Sequence, residues 1–155
     1  MEWHIRPATH HDAAAISRVI LAALRESNTK DYPPDVIAQI ERAFTPEAVA
    51  MRLGQRQVLV ALQDDTVIGT ASLEADVVRS VFMDPAHQKR GIGRHLMEVI
   101  HATAVRDGIA VLRVQSSVTA ERFYALLGYR KIRDEVNDAE RVLVMEKRLQ
   151  PLASY

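Results

Sequence analysis

Between Val77 and Val114 the hydrophobic pattern changes period twice. Val77 to Met83 is an apolar, β-branched run that Asp84-Pro85 ends. Gly91-Ile92-Gly93 then opens a stretch in which Ile92, Leu96, Val99 and Thr103 recur at helical spacing, closed by Asp107-Gly108, and Val111-Leu112-Arg113-Val114 returns as a buried strand. A strand, helix and strand joined in this way need a right-handed crossover between parallel strands. The chain must therefore build a sheet with at least one parallel pair and a helix on its face.

The remaining segments add strands without adding crossovers. Trp3-His4-Ile5-Arg6 reads as a short strand stopped at Pro7, after which Thr9 or Asp12 caps a helix carrying Ile16, Val19, Ile20, Ala23 and Leu24 on one face. Asp31-Tyr32-Pro33-Pro34 breaks that helix, and Asp35 can cap a second one running through Ile40. Thr45-Pro46 starts a third, which Gly54 stops. Val58 to Leu62 and Thr66 to Leu73 form a hairpin about Asp64-Asp65. Ala120 to Leu127 is helical and ends at Gly128, and Tyr129 to Val136 and Arg141 to Met145 make a final pair joined by Asn137-Asp138. The expected fold class is α/β, a mixed and mostly antiparallel central sheet with helices on both faces, in one domain over residues 1–155.

Composition narrows the functions this architecture can carry. Twenty Lys and Arg balance 20 Asp and Glu, and aromatics are 5% of the chain, so neither a phosphate backbone nor an acidic membrane has an electrostatic footprint to bind. No apolar run approaches the ~20 residues of a membrane span, and Met1-Glu2-Trp3-His4 lacks a basic stretch followed by an apolar one, so the expected location is cytoplasmic. There is no cysteine, which removes disulfides and thiolate chemistry. The six histidines show no metal-ligand spacing, with His87, His95 and His101 dispersed and His10-His11 beside a helix start, so no metal is expected. Ser116-Ser117 lacks the glycines of a nucleophile elbow and reads as facing a ligand or capping the next helix.

The segment Val81-Phe82-Met83-Asp84-Pro85-Ala86-His87-Gln88-Lys89-Arg90-Gly91-Ile92-Gly93-Arg94 empties a strand into a glycine-containing helix start. Free N–H groups there, with roughly half a positive charge from the helix dipole, suit a pyrophosphate, and glycine lets it approach closely. The third glycine of the dinucleotide fingerprint is missing, and no Lys-Ser or Lys-Thr follows, so another phosphate-bearing cofactor is implied.

Gln88-Lys89-Arg90-Gly91-Ile92-Gly93 after a strand ending in Asp-Pro resembles the acetyl-CoA-binding motif of the GCN5-related N-acetyltransferases (GNAT). The resemblance covers essentially the whole chain, from Ile5-Arg6-Pro7-Ala8 through Ala120-Glu121-Arg122-Phe123-Tyr124-Ala125-Leu126-Leu127-Gly128-Tyr129 to the closing strands. It implies the GNAT fold, with the backbone amides of Gln88, Lys89, Arg90, Gly91, Ile92, Gly93 and Arg94 cradling the CoA pyrophosphate. The side chains of Lys89, Arg90 and Arg94 either add charge there or form a solvated basic turn. Main-chain groups of Val81, Phe82 and Met83 would pair with the pantetheine arm like an added strand and offer an N–H to the thioester oxyanion. Ser117, where the family often has asparagine, would contact that arm.

The resemblance also places Tyr124 at the family's frequent general acid, where a phenol protonated at neutral pH can donate to the departing thiolate. The alternative is that Phe123-Tyr124 packs the helix on the sheet; Phe123 is expected to do so while bordering the cofactor. For the base, Glu74 or Asp76 is a candidate carboxylate beside the thioester, and Glu74-Ala75-Asp76 reads equally as a hairpin turn. Tyr32-Pro33-Pro34 and the two following helices fall where such enzymes build the acceptor wall, in which Lys30, Asp31, Asp35 and Glu41 mix signs; Tyr32 either meets the acceptor or packs. The expected function is acetyl transfer from acetyl-CoA directly to an amine, small-molecule or protein-borne, in a ternary complex and without a metal. An acyl-CoA-binding sensor or assembly module without turnover is the alternative, and a homodimer the expected assembly.

Overall fold

The computed structural model describes residues 3–26, 32–137 and 140–150. Lys30 and Asp31 of the expected acceptor wall, Asp138 of the last turn and the first two residues lie outside them. The elements run β1 (His4–Pro7), α1 (Ala13–Glu26), α2 (Pro34–Arg42), α3 (Pro46–Leu53), β2 (Gln57–Gln63), β3 (Thr66–Glu74), β4 (Val77–Met83), α4 (Ile92–Arg106), β5 (Val111–Ser116), α5 (Glu121–Leu126), β6 (Arg130–Asn137) and β7 (Glu140–Arg148). The strands form one seven-stranded sheet in the order β1-β2-β3-β4-β5-β7-β6. β4 and β5 are parallel and every other pair is antiparallel. The mixed, mostly antiparallel sheet is therefore present, with its one parallel pair at the crossover.

Helices cover both faces because strand residues alternate between them. Ile16, Val19, Ile20 and Leu24 of α1 pack with Val60, Leu62 and Val67 on one face. Ile92, Leu96, Met97, Ile100 and Ala104 of α4 pack with Ala61, Ile68, Ala71, Leu73, Val78, Leu112 and Val114 on the other. The α4 stripe differs from the expected one, since Val99 and Thr103 flank the core instead of entering it. The four-residue ridge from Ile92 to Ala104 seats on the sheet, as packing along i, i+4 rows demands.

The helix starts follow from local chemistry. Thr9 precedes a short 3-10 turn, His10–Asp12, that leads into α1; its N–H donates to Asp12 Oδ2 at 2.8 Å, and Arg6 Nη1 holds the same oxygen at 2.8 Å. Thr45 Oγ1 accepts from the Ala48 N–H at 3.3 Å at the head of α3. Asp35 does not cap α2: Pro33 holds the N-cap position in extended conformation and Pro34 takes the first turn with its fixed φ, leaving Asp35 to oppose the helix dipole. Tyr32 packs with Val36 and Ile37, and its hydroxyl donates to the Arg141 carbonyl at 3.2 Å, so it is a packing residue.

His101 on α4 lies with Nε2 2.9 Å from the Tyr129 hydroxyl. Burial, assisted by the charge of Lys147, lowers its pKa to about 4. The unfolded ring takes up its proton first as pH falls, so stability drains away between about pH 6.5 and pH 4. With the ring's partial exposure discounted, the loss is on the order of 1–2 kcal/mol. Replacing His101 with glutamine is expected to flatten this part of the stability curve, measured by urea unfolding across the same range. An unchanged slope would remove His101 as its source.

Candidate functional site

The site begins with a fault in the sheet. The β3–β4 register slips between Thr70 and Ser72, Ser72 facing Arg79 but Thr70 facing Phe82, which places one extra residue in β4. Ser80 absorbs it at φ +51. A bulge of this kind bends the strand that carries it. Accordingly β4 pairs with β5 at Val77–Arg113 and Val78–Val114, and among the described residues the ladder stops there. Beyond the bulge the Asp84 N–H donates to the Ile68 carbonyl at 2.9 Å, toward β3. Alternation along the strand therefore turns the main-chain groups of Val81 and Met83 into the gap beside β5.

The gap leads to the head of α4. Gly91 holds the N-cap position at φ +84, with no side chain capping the helix, and the first intrahelical bond runs from the His95 N–H to the Gly91 carbonyl at 3.0 Å. The N–H groups of Gly91, Ile92, Gly93 and Arg94 precede that bond, so a helix of 15 residues presents donors and the positive end of its dipole to the gap. The two glycines serve different ends. A Cβ on Gly91 would meet nothing within 4 Å, which marks open space against the donors. A Cβ on Gly93 would sit 2.7 Å from Met83 Cε and 3.2 Å from the Phe123 ring, so its absence lets α4 close on β4 and α5.

Together these elements enclose a cleft of about 800 Å³. Val81, Phe82, Met83, Gln88, Lys89, Gly91, Ile92, Gly93, Arg94, Ser117, Phe123 and Tyr124 all line it. Two nominated residues do not. Arg90 turns toward β2, where its Nη1 lies 3.4 Å from Gln63 Oε1. Glu74 ends β3 at a hairpin in which Ala75 has φ +53, and its Oε1 lies 3.5 Å from Arg56 Nε and 3.3 Å from Arg79 Nε. The carboxylate is thus committed to two guanidiniums at the turn, and neither it nor Asp76 faces the cleft.

Tyr124 is buried in the cleft wall, its ring packed edge-on to Phe123 at 5.0 Å and to Tyr129 at 5.6 Å between centroids. Desolvation raises its pKa above the usual phenol value, which keeps the proton on the oxygen. Ser117 faces the cleft and also accepts from the Ala120 N–H at 3.2 Å, so it sets the turn into α5 as well.

Across the cleft stand Ala23 and Leu24 of α1, Ile40 of α2, Phe44, Arg52 of α3, and Arg56. Helices α2 and α3 do supply a wall, but among the described residues its polar groups are not the Asp35 and Glu41 that the sequence suggested. They are Arg52 and Arg56, joined by Arg79 and Ser80 from β4. Sequence reasoning did not single out these arginines; their faint traces there are the four-residue spacing of Arg52 and Arg56 at the end of a helix and an arginine inside the apolar run of β4.

Comparison with known proteins agrees with this geometry. Residues 28–149 match the family model described as an acetyltransferase (GNAT) domain. The peptidyl-lysine N-acetyltransferase YjaB of Salmonella typhimurium is 29% identical over 140 residues, 89% of this chain and 91% of the relative. A GCN5-related N-acetyltransferase from Rhodopseudomonas palustris superposes with a TM-score of 0.90 at 23% identity, over 96% of this chain and 97% of that one. The PaiA N-acetyltransferase from Thermoplasma acidophilum, solved with coenzyme A, gives 0.82 at 20% identity, over 96% and 99%. No helix among the described residues is long and apolar enough to cross a membrane. The chain belongs to the GNAT family of acetyltransferases.

Proposed function

We propose that this chain binds acetyl-CoA in the β4–β5 gap and transfers its acetyl group directly to an amine within a ternary complex. The observation that carries the reading is the coincidence of three features in one cleft: main-chain groups of Val81 and Met83 beyond the end of the β4–β5 ladder, helix donors at Gly91–Arg94, and the phenol of Tyr124. The helix donors, with Lys89 and Arg94 beside them, suit the pyrophosphate. The strand edge suits the amides of the pantetheine arm, and an N–H there can hold the oxyanion as the thioester carbonyl becomes tetrahedral.

The amine nitrogen forms a bond to the acetyl carbon, the carbon–sulfur bond breaks, and Tyr124 gives its proton to the sulfur. The nitrogen loses one proton. No carboxylate among the described residues lines the cleft to take it, so an amine that arrives neutral releases this proton to water after it attacks, and the tyrosinate recovers a proton from solvent, which returns the site to its starting state. Cysteine is absent from the chain, so the acetyl group has no thiol on the protein to rest on.

Initial rates measured with acetyl-CoA and the amine both varied are expected to give intersecting double-reciprocal lines, as both substrates must be bound before either product leaves. Parallel lines would mean an acetyl-enzyme and would overturn the direct route.

A further inference from the structure

We infer that the acceptor amine also carries a carboxylate, which Arg52, Arg56 and Arg79 receive. This rests on the acetyl-transfer reading above and names the substrate class of the same site. The three guanidiniums border the cleft on the side of the bulge remote from the α4 donors. Each keeps one nitrogen away from solvent without a hydrogen-bond partner: Nη1 of Arg52, Nε of Arg56 and Nε of Arg79. Glu74 is within ion-pair distance of Arg56 and Arg79, but its oxygen is not aligned to accept from either Nε. Among the described residues one carboxylate thus faces three cations, and the Arg56 side chain is only 14% exposed.

The neighbouring contacts do not use up this capacity. Arg56 Nη1 donates to Ser80 Oγ at 3.3 Å, and the Arg52 guanidinium lies 4.9 Å from the Phe44 ring centroid. Burial lowers the pKa of both Arg52 and Arg56 from the ordinary arginine value, Glu74 offsetting only part of the cost. Buried cations are retained where an anion arrives to pair with them.

Position on the strand connects the cluster to the reaction. Arg79 is two residues before Val81 on β4, with the bulge at Ser80 between them, so the two lie no more than about 7 Å apart along the strand, the span two regular strand residues would cover. An amine poised at a thioester beside Val81 would therefore hold a carboxylate a few bonds away against the guanidiniums, which accept carboxylates through paired N–H donors. The same positive field disfavours the ammonium form of the acceptor, which helps to deliver a neutral nucleophile to a cleft lined by no carboxylate among the described residues.

The test is acetylation by the full-length protein of matched amines, γ-aminobutyrate against γ-aminobutyramide and L-lysine against L-lysinamide, with a lysine peptide blocked at both ends. Wild type is expected to favour each carboxylate over its amide by about tenfold or more in kcat/KM, and over the peptide as well. Arg56→Gln and Arg79→Gln should erase that preference, Arg56→Lys should restore part of it, and all three should bind acetyl-CoA with unchanged affinity, which also shows that they fold. Equal or better use of the amides or the peptide by wild type would overturn the inference, as would a preference that survives both glutamine variants. If acetyl-CoA binds but no amine is acetylated, calorimetry of the CoA-saturated protein with γ-aminobutyrate decides: heat of binding lost in Arg56→Gln supports the inference, and no heat overturns it. Failure of acetyl-CoA itself to bind is a different result, and overturns the reading on which the inference rests.

Discussion

Tyr124→Phe is expected to lower kcat by about a hundredfold to ten-thousandfold, the usual contribution of a positioned proton donor. Binding of acetyl-CoA should change little. Phenylalanine keeps the edge-on contacts to Phe123 and Tyr129 that hold α5 in the wall, so the variant removes the donor and leaves the packing. Because burial raises the pKa of the phenol, its proton stays in place across the working range of pH. The loss should accordingly be the same at every pH assayed, and the wild-type kcat profile should show no limb belonging to Tyr124. Steady-state kinetics with a saturating amine checks both points. A variant that retains full kcat would reduce Tyr124 to a packing residue.

Gly91→Glu is expected to weaken acetyl-CoA binding by about a hundredfold or more, since like charges set together cost several kcal/mol. The residue sits at φ +84 with open space around its missing Cβ, so the fold can accept a side chain at the cost of backbone strain, about 1 kcal/mol. Glutamate then adds a negative charge among the donors of the α4 start. Gly91→Ala separates the two effects: it should show the strain in a lowered unfolding midpoint while holding affinity within a few-fold. Calorimetric titration with acetyl-CoA measures both variants, and equal affinity in Gly91→Glu would move the pyrophosphate away from this helix.

The parts of this molecule that local pattern controls were legible in the sequence. The crossover from β4 through α4 to β5 follows from period changes and proline and glycine punctuation, and the element order came out as the structure has it. The glycine-containing loop at the start of α4 was legible because a helix start and two glycines at fixed spacing carry their own geometry. What depends on three-dimensional context was not. The spacing of Val99 and Thr103 fits a helical stripe, but packing against the sheet buries the ridge through Ile100 and Ala104 instead. Arg90 belongs to the basic turn in sequence, yet its side chain finds Gln63. Glu74 sits between two strands as expected, and arginines 18 residues before it and 5 after it claim its carboxylate across the sheet surface. The arginine wall of Arg52, Arg56 and Arg79 is assembled from α3, the turn after it and β4, a convergence that no local pattern displays.

One cleft, bounded by the edge of β4 beyond its bulge and the start of α4, is proposed to receive acetyl-CoA. An amide-resolved NMR titration of the wild-type protein with acetyl-CoA tests it most directly. Saturable shifts are expected at the Val81 and Met83 amides and across Gln88–Arg94, with the amides of β1 and β6 unmoved. Absence of any saturable shift, or shifts gathered on β6 and β7 away from the bulge, would contradict it.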